Sequence, residues 1–366
     1  MLRYVDDALP GITRKRRGNY WQYFDAKGER VTDRDEIDRL NAIGLPPAYQ
    51  RCWLCADPNG HIQAIGYDAR GRKQYRYHPD FRAQQETRKY ERLAEFGRAL
   101  PKLRKRVEQD IAGRKMSCET VLAAVVRLIE ATHIRVGNEE YAKGNKSFGA
   151  TTLRNRHASV GRASLKLSYR GKHGIKRVVT INDRAVARIA RRAQDLPGQH
   201  LFEFVDEEGE VRPVTSSDVN AYIKEAMGDA FTAKDFRTWG ASVIAFEEIA
   251  RRAESEQRIN LKNVIAPVAE ALGNTPAISR KSYVHPALIE ALKDAGVLGT
   301  RKLPRTGKYL SAYERGLIEF LEALPKEKAK LETGTKTKAR TKRTSAKRAG
   351  AEVAAAAEEK LEAEAA

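Results

Sequence analysis

The 366-residue chain carries 68 Lys and Arg against 48 Asp and Glu, a formal charge of +20, with 41% hydrophobic residues. That length accommodates more than one domain, and the longest purely aliphatic run, Val121 to Val126, falls far short of the ~18 residues of a membrane span, which excludes an integral helical membrane protein. Residues 326–366 hold 11 basic and 7 acidic side chains, so +16 of the charge lies upstream in the part expected to fold, where its field favours polyanions, nucleic acid first.

The start, "MLRYVDDALPG", has no apolar core of a secretory signal, so a cytoplasmic location is expected. Residues 1 to about 80 read as β-rich. The stretch "NYWQYFDAKGERV" predicts a strand, a D-A-K-G turn and a return strand, and "YQRCWLCADPNGHIQAIGYD" predicts a hairpin around D-P-N-G. Cys52 and Cys55 in "CWLC" belong to a predicted strand, where positions three apart face opposite ways. No second Cys or His pair completes a tetrahedral set, so the three cysteines are expected to be reduced thiols without metal, and no cofactor is expected.

In "RKQYRYHPDFR" cations alternate with aromatics. As a strand this places Lys73, Tyr75 and Tyr77 on one face and Gln74 and Arg76 on the other, a surface that could lie in a DNA groove or simply pack and be solvated.

Helical spacing follows from about residue 83 to 132, with Ser117 as an N-cap ahead of Val121, Leu122, Val125, Leu128 and Ile129. Alternation at 162–181 around "RGKHG" predicts a hairpin with Lys172 at its tip. Further helices are predicted at 183–195 and 216–227, the latter stopped by Gly228, and at 311–324, where Ser311 and Glu314 form a capping box. The basic run beyond residue 325 has almost no large apolar residue, so it is expected to be disordered and to bind phosphates without sequence preference.

Four cations or donors stand out by their settings. Arg135 follows an apolar helix in "THIRVGNEEYA"; Lys172 is flanked by glycines; Arg237 lies between Phe236 and Trp239 in "AKDFRTWGAS"; Asn274 precedes a helix start at Pro276 in "LGNTP". Each alone could be an ordinary solvated or structural residue. Tyr283, in "LGNTPAISRKSYVHP", alone would read as a packing aromatic near a helix end.

Taken together, "IRVGNEEY", "RGKHG", "KDFRTWGAS" and "LGNTPAISRKSYVHP" resemble, in order and spacing, the conserved blocks of type IB DNA topoisomerases of the bacterial poxvirus-like branch. The segment "DPNGHIQAIGYDARGRKQYRYHP" is similar to that branch's DNA-clamping domain. The resemblance covers about residues 1 to 325 and implies an α+β protein. It would have a small antiparallel β-sheet domain (1–82), a larger and mainly α-helical catalytic domain containing a β-hairpin (83–325), and a tail (326–366).

It also implies five active-site roles, for Arg135, Lys172, Arg237, Asn274 and Tyr283. Tyr283 would be the nucleophile and Lys172 the general acid, with Arg135, Arg237 and Asn274 on the phosphate. Viral and eukaryotic relatives are expected to carry histidine where this chain has Asn274, and a neutral amide has no acid–base role. Lys73, Gln74, Tyr75, Arg76, Tyr77, Arg280 and Lys281 would contact DNA. The implied partner is double-stranded DNA, engaged by a monomer in the nucleoid without ATP, metal, membrane or obligate protein partner.

Tyrosine recombinases share this kind of pocket. They typically show His-x-x-Arg and Leu-Gly-His where this chain reads Lys234-Asp-Phe-Arg237 and Leu272-Gly-Asn274, and most lack the N-terminal sheet. A non-catalytic DNA-binding protein would fit the charge but would not require the five residues.

Overall fold

The computed structural model describes residues 1–292 and 302–325. The predicted basic tail from residue 326 onward lies outside the described residues.

The N-terminal part is built from two small antiparallel sheets. Strand β1 (Thr13–Arg17) pairs with β2 (Tyr20–Phe24), and β3 (Gln50–Leu54), β4 (Ile62–Tyr67) and β5 (Lys73–Tyr77) form a meander in that order. A bridge from Ile12 to Leu54 joins the two. Helix α1 (Arg34–Ala42), N-capped by Asp33, covers them, and Ile12, Tyr23, Leu40, Leu45, Leu54 and Ala64 make their shared core.

The predicted D-P-N-G hairpin is β3–β4. The predicted return strand after D-A-K-G is not one. The chain makes a single bridge, Phe24 to Arg30, and then enters α1, because Asp33 offers its side chain to the Asp35 amide and starts a helix instead. The partner of β2 is the basic stretch upstream, β1.

Cys52 donates its thiol to the Tyr49 carbonyl, and Cys55 is buried, which pushes its thiol above the usual range and disfavours the reactive thiolate.

Helix α2 (Pro79–Glu91) begins directly after β5, capped by His78, and residue 82 lies within it. Then come α3 (Leu93–Ile111) and α4 (Cys118–Thr132). Ser117 caps α4 as its sequence predicts, accepting from the Thr120 amide. Ten of the fifteen α4 residues are buried, so the helix is apolar nearly all round. It forms the central post against which α3, α6 (Arg184–Gln194), α7 (Ser216–Met227) and α8 (Asp235–Glu254) pack.

A third sheet orders β6 (Ala158–Val160), β7 (Leu165–Arg170) and β8 (Lys176–Ile181), so the predicted hairpin around "RGKHG" is β7–β8. A short α5 (Glu139–Asn145) precedes it, and a two-stranded ribbon, β9 (Glu203–Val205) with β10 (Val211–Pro213), precedes α7.

Helices α9 (Leu261–Leu272), α10 (Pro276–Ser282) and α11 (Pro286–Ala291) follow α8. The last described helix, Ala312–Glu322, carries the predicted Ser311–Glu314 capping box. Glu314 is buried, accepts a bidentate pair from Arg104 of α3 and a bond from the Trp239 indole at 3.3 Å, and so fixes α8 in place.

Met1–Ala323 form one compact unit. No described helix is long and apolar enough to cross a membrane.

Candidate active site

Helix α9 ends at Gly273, whose φ of 60° is left-handed. A residue with a Cβ would be strained there. Two residues later Thr275 caps α10, accepting from the Ile278 amide at 3.3 Å, and Pro276 supplies the fixed φ of a first helical position. Asn274 is therefore held between two helix caps and has little freedom.

Seven residues of α10 then lead to Tyr283, whose amide bonds to the Ser279 carbonyl at 3.1 Å. Ser242, fully buried on α8, donates to the Tyr283 carbonyl at 3.4 Å and accepts from the His285 amide at 3.1 Å. The tyrosine backbone is thereby fastened to the helix that carries Arg237.

Arg237 is 5% exposed. One guanidinium nitrogen donates to the His133 carbonyl and the other to the Leu272 carbonyl at 3.1 Å, joining the end of α4 to the end of α9. His133 ends α4 in the left-handed region (φ 53°), and its ring lies against Gly240, where a Cβ would come within 2.3 Å of it. Burial and the neighbouring Arg237 and Arg177 push the His133 imidazole down to about 4, so it is neutral near pH 7.

Two residues beyond, Arg135 donates to Asn274 Oδ1 at 3.1 Å. That bond fixes the amide orientation and turns Nδ2 away. Asn274 Nδ2 and Arg237 Nε are both buried donors without a partner. Buried donors are nearly always satisfied, so two unsatisfied ones near Arg135 leave a local excess of donors that acceptor oxygens could meet. Burial first, and the neighbouring Arg135 second, lower Arg237 to about 10.

The Arg237 guanidinium carbon lies 5.0 Å from the centroid of the Tyr283 ring. Burial of the phenol opposes ionisation, yet the guanidinium groups of Arg237 and Arg135 outweigh it and hold the Tyr283 pKa below 10. Four other tyrosines, Tyr23, Tyr90, Tyr169 and Tyr222, are pushed above that value. A tyrosinate difference titration of wild type against Tyr283→Phe is expected to lose a phenol that ionises below 10 and ahead of those four. Superimposable curves below pH 10 would contradict the arrangement.

Lys172 sits at the tip of β7–β8, exposed, with His173 (φ 63°) and Gly174 (φ 74°) turning the chain after it. It lines the same cleft as Arg135, Arg237, Tyr169 and Arg177. Arg135, Lys172 and Arg237 thus share one cleft, from the α4 end, the β7–β8 tip and α8; Asn274 and Tyr283 do not line it but adjoin it, Asn274 through its bond to Arg135 and Tyr283 through its ring beside Arg237.

The β5 residues line no part of that cleft. Tyr75 and Tyr77 stack at 5.9 Å and are 41% and 40% exposed, an open aromatic face. Lys73 pairs with Asp7, Gln74 bonds to Asp68 at 3.1 Å and Arg76 to the Gly44 carbonyl at 3.2 Å. Arg280 and Lys281 are exposed on α10.

Residues 78–303 match the family described as eukaryotic DNA topoisomerase I, catalytic core, and residues 20–68 match the bacterial DNA topoisomerase IB N-terminal domain. The DNA topoisomerase 1B of Acanthamoeba polyphaga mimivirus is 35% identical over 289 residues, 75% of this chain and 85% of that protein. The chain belongs to the type IB DNA topoisomerases.

The monkeypox virus DNA topoisomerase I is 23% identical over 68% of this chain and 77% of its own. Among solved structures, the XerH site-specific recombinase bound to difH overlaps 52% of each chain at 19% identity and a TM-score of 0.34, too loose an overlap to bear on the reaction.

Two cations of this topoisomerase escape the sequence reading. Lys89 on α2 is half-buried and donates to the Ser282 carbonyl at 2.8 Å, one residue before Tyr283. Burial lowers its pKa. In "ETRKYERL" nothing separates it from its basic neighbours. Arg177 reaches the carbonyls of Glu270 and Ala271. Its signal was present, since in the alternating "KRVVTI" it shares a face with Val179 and the buried Ile181.

Proposed function

We propose that this chain relaxes DNA by the single-strand cleavage that its type IB family supports, acting through Tyr283 and a transient 3′-phosphotyrosyl bond, without ATP or metal. The observation that carries the reading is the placement of the Tyr283 ring beside Arg237, whose Nε is an unpaired buried donor, with Arg135 and Asn274 joined to one another and Arg135 also acting on the Tyr283 phenol.

Tyr283 Oη attacks the phosphorus of a DNA phosphodiester, its proton passing to solvent. The bond from phosphorus to the 5′ oxygen breaks, and Lys172 gives that oxygen a proton. Arg135 and Arg237 meet the non-bridging oxygens with charges that persist at any working pH, and Asn274 Nδ2 adds a neutral donor. The phosphotyrosyl bond conserves the energy of the bond broken, so the free 5′ hydroxyl can reverse the step after the strand has swivelled.

Duplex DNA is the partner. The open face of Tyr75 and Tyr77 and the cations Lys73, Arg76, Arg280 and Lys281 supply contacts outside the cleft, with Gln74 available to a base edge or sugar. Residues 1–82 and 83–325 act as the two lobes that grip the duplex. All five catalytic groups come from one chain, so a monomer suffices, working in the nucleoid.

On a nicked duplex that lets the cleaved 5′-hydroxyl fragment escape, the protein is expected to accumulate covalently on a label carried at the 3′-phosphate side. Transfer to the 5′ side, or no adduct, would refute the reading. Lys172→Ala is expected to slow this cleavage by ~10²-fold, at the low end of what a general acid contributes. A duplex with sulfur at the 5′ bridging position has a leaving group that needs no proton, so it is expected to restore the rate; an unrestored rate would remove Lys172 from the role.

A further inference from the structure

Arg177 stands on β8, directly across from Tyr169 of β7. Its guanidinium leaves the hairpin and donates to the carbonyls of Ala271 at 3.1 Å and Glu270 at 3.4 Å, in the last turn of α9. The Glu270 carbonyl also accepts from the Gly273 amide at 3.1 Å, whereas no main-chain donor among the described residues reaches the Ala271 carbonyl, and a cation there also complements the helix dipole. The space it occupies exists because residue 273 is glycine: a Cβ at that position would lie 1.7 Å from Arg177 Nη1. Gly273 is the residue before Asn274, and Arg177 lines the cleft with Lys172.

At the base of the hairpin tip the Phe148 amide bonds to the Arg170 carbonyl at 2.8 Å and Gly171 is buried, but beyond that point the tip has few holds. Residues 172–176 are exposed, and the turn is closed by bonds within itself, from Gly171 to Ile175 at 2.8 Å and from Gly174 to Gly171 at 3.1 Å.

We propose that Arg177 is a positioning residue for the leaving-group proton. It straps the β7–β8 hairpin to the end of α9, so that the Lys172 ammonium is presented in the same frame as Asn274 and the phosphate it binds. The inference rests on Lys172 being the acid. Without the strap, an exposed tip turned by two residues of positive φ samples positions away from the 5′ oxygen, and the proton arrives late.

The test is single-turnover cleavage by Arg177→Ala, Arg177→Lys and Lys172→Ala on matched duplexes with oxygen or sulfur at the 5′ bridging position. DNA affinity and thermal unfolding serve as fold controls. Arg177→Ala is expected to lose about 30-fold on the oxygen duplex, within the ~10²-fold scale of an ångström misplacement, and less than ~3-fold on the sulfur duplex. Arg177→Lys keeps a charge and a donor and is expected to recover most of the loss.

Equal losses on both duplexes would overturn the proposal, since Arg177 would then be acting on the phosphate or the fold. No loss on the oxygen duplex would overturn it as well. If sulfur fails to restore Lys172→Ala, the acid assignment itself is wrong and the strap falls with it; if sulfur restores Lys172→Ala but not Arg177→Ala, the acid stands and only the strap is refuted.

Discussion

Replacing Tyr283 with phenylalanine is expected to remove covalent adduct formation and plasmid relaxation by ~10⁴-fold or more, the scale of losing a nucleophile while the rest of a site remains. DNA affinity is expected to stay within a few-fold. The reason for the separation is geometric. The backbone of Tyr283 is fixed by Ser279 and Ser242, neither of which touches the phenol oxygen, and the ring keeps its place beside Arg237 without it. Folding stability should change by less than ~1 kcal/mol, since among the described residues the hydroxyl meets only the Arg237 and Arg135 guanidinium groups, which keep their bonds to the His133 and Leu272 carbonyls and to Asn274. A Phe variant that still relaxes plasmid would show that another group attacks the phosphate.

Arg237→Ala is expected to slow cleavage by ~10³- to 10⁴-fold. Removal of one preorganised donor from a developing oxyanion costs ~10²- to 10³-fold, and Tyr283 also loses the largest charge that lowers its pKa, about another tenfold for each pKa step at fixed pH. The substitution additionally leaves the carbonyls of His133 and Leu272 without their donor, at roughly 1–3 kcal/mol of stability for buried polar groups.

Arg237→Lys separates chemistry from folding, because it keeps a cation and one donor. The environment that takes Arg237 from 12.5 to about 10 by burial and by Arg135 would bring a lysine, ordinarily at ~10.4, into the range ~7 to 9. The charged form is the active one and exists below that pKa. Cleavage by Arg237→Lys is therefore expected to be strongest at low pH and to fall as pH rises through ~8, whereas wild type shows no such decline there. A pH-independent ratio of variant to wild type between pH 6 and 9 would contradict the buried, cation-crowded setting.

Several of the five residues proposed for the site sit beside a local signal. The Gly273 cap, the Thr275–Pro276 start and the glycines around Lys172 are short-range features whose meaning does not depend on tertiary structure. The family resemblance then joined them, and the match over residues 78–303 bears it out. Strand β1 was not legible. Its sequence "TRKRR" has no alternating apolar face, and it exists because Ile12 and Tyr23 on either side of it enter a core with Leu40 and Leu54.

The turn at D-A-K-G was read correctly as a reversal, but a turn says nothing about how long the returning strand will be. Lys89 and Arg177 failed for a different reason. Their partners are main-chain carbonyls 193 and 94 residues away, and a carbonyl carries no sequence signature. The alternation around Arg177 shows which way its side chain faces, but what either half-buried cation reaches becomes visible only once the chain is folded.

The central claim is that Tyr283 and the surrounding cations suffice for strand cleavage and rejoining. It is tested most directly by incubating supercoiled plasmid with the full chain in a chelator, without ATP. Progressive relaxation through intermediate topoisomers, absent in Tyr283→Phe, is the predicted result; plasmid that is bound tightly yet remains supercoiled until metal or ATP is added would contradict it.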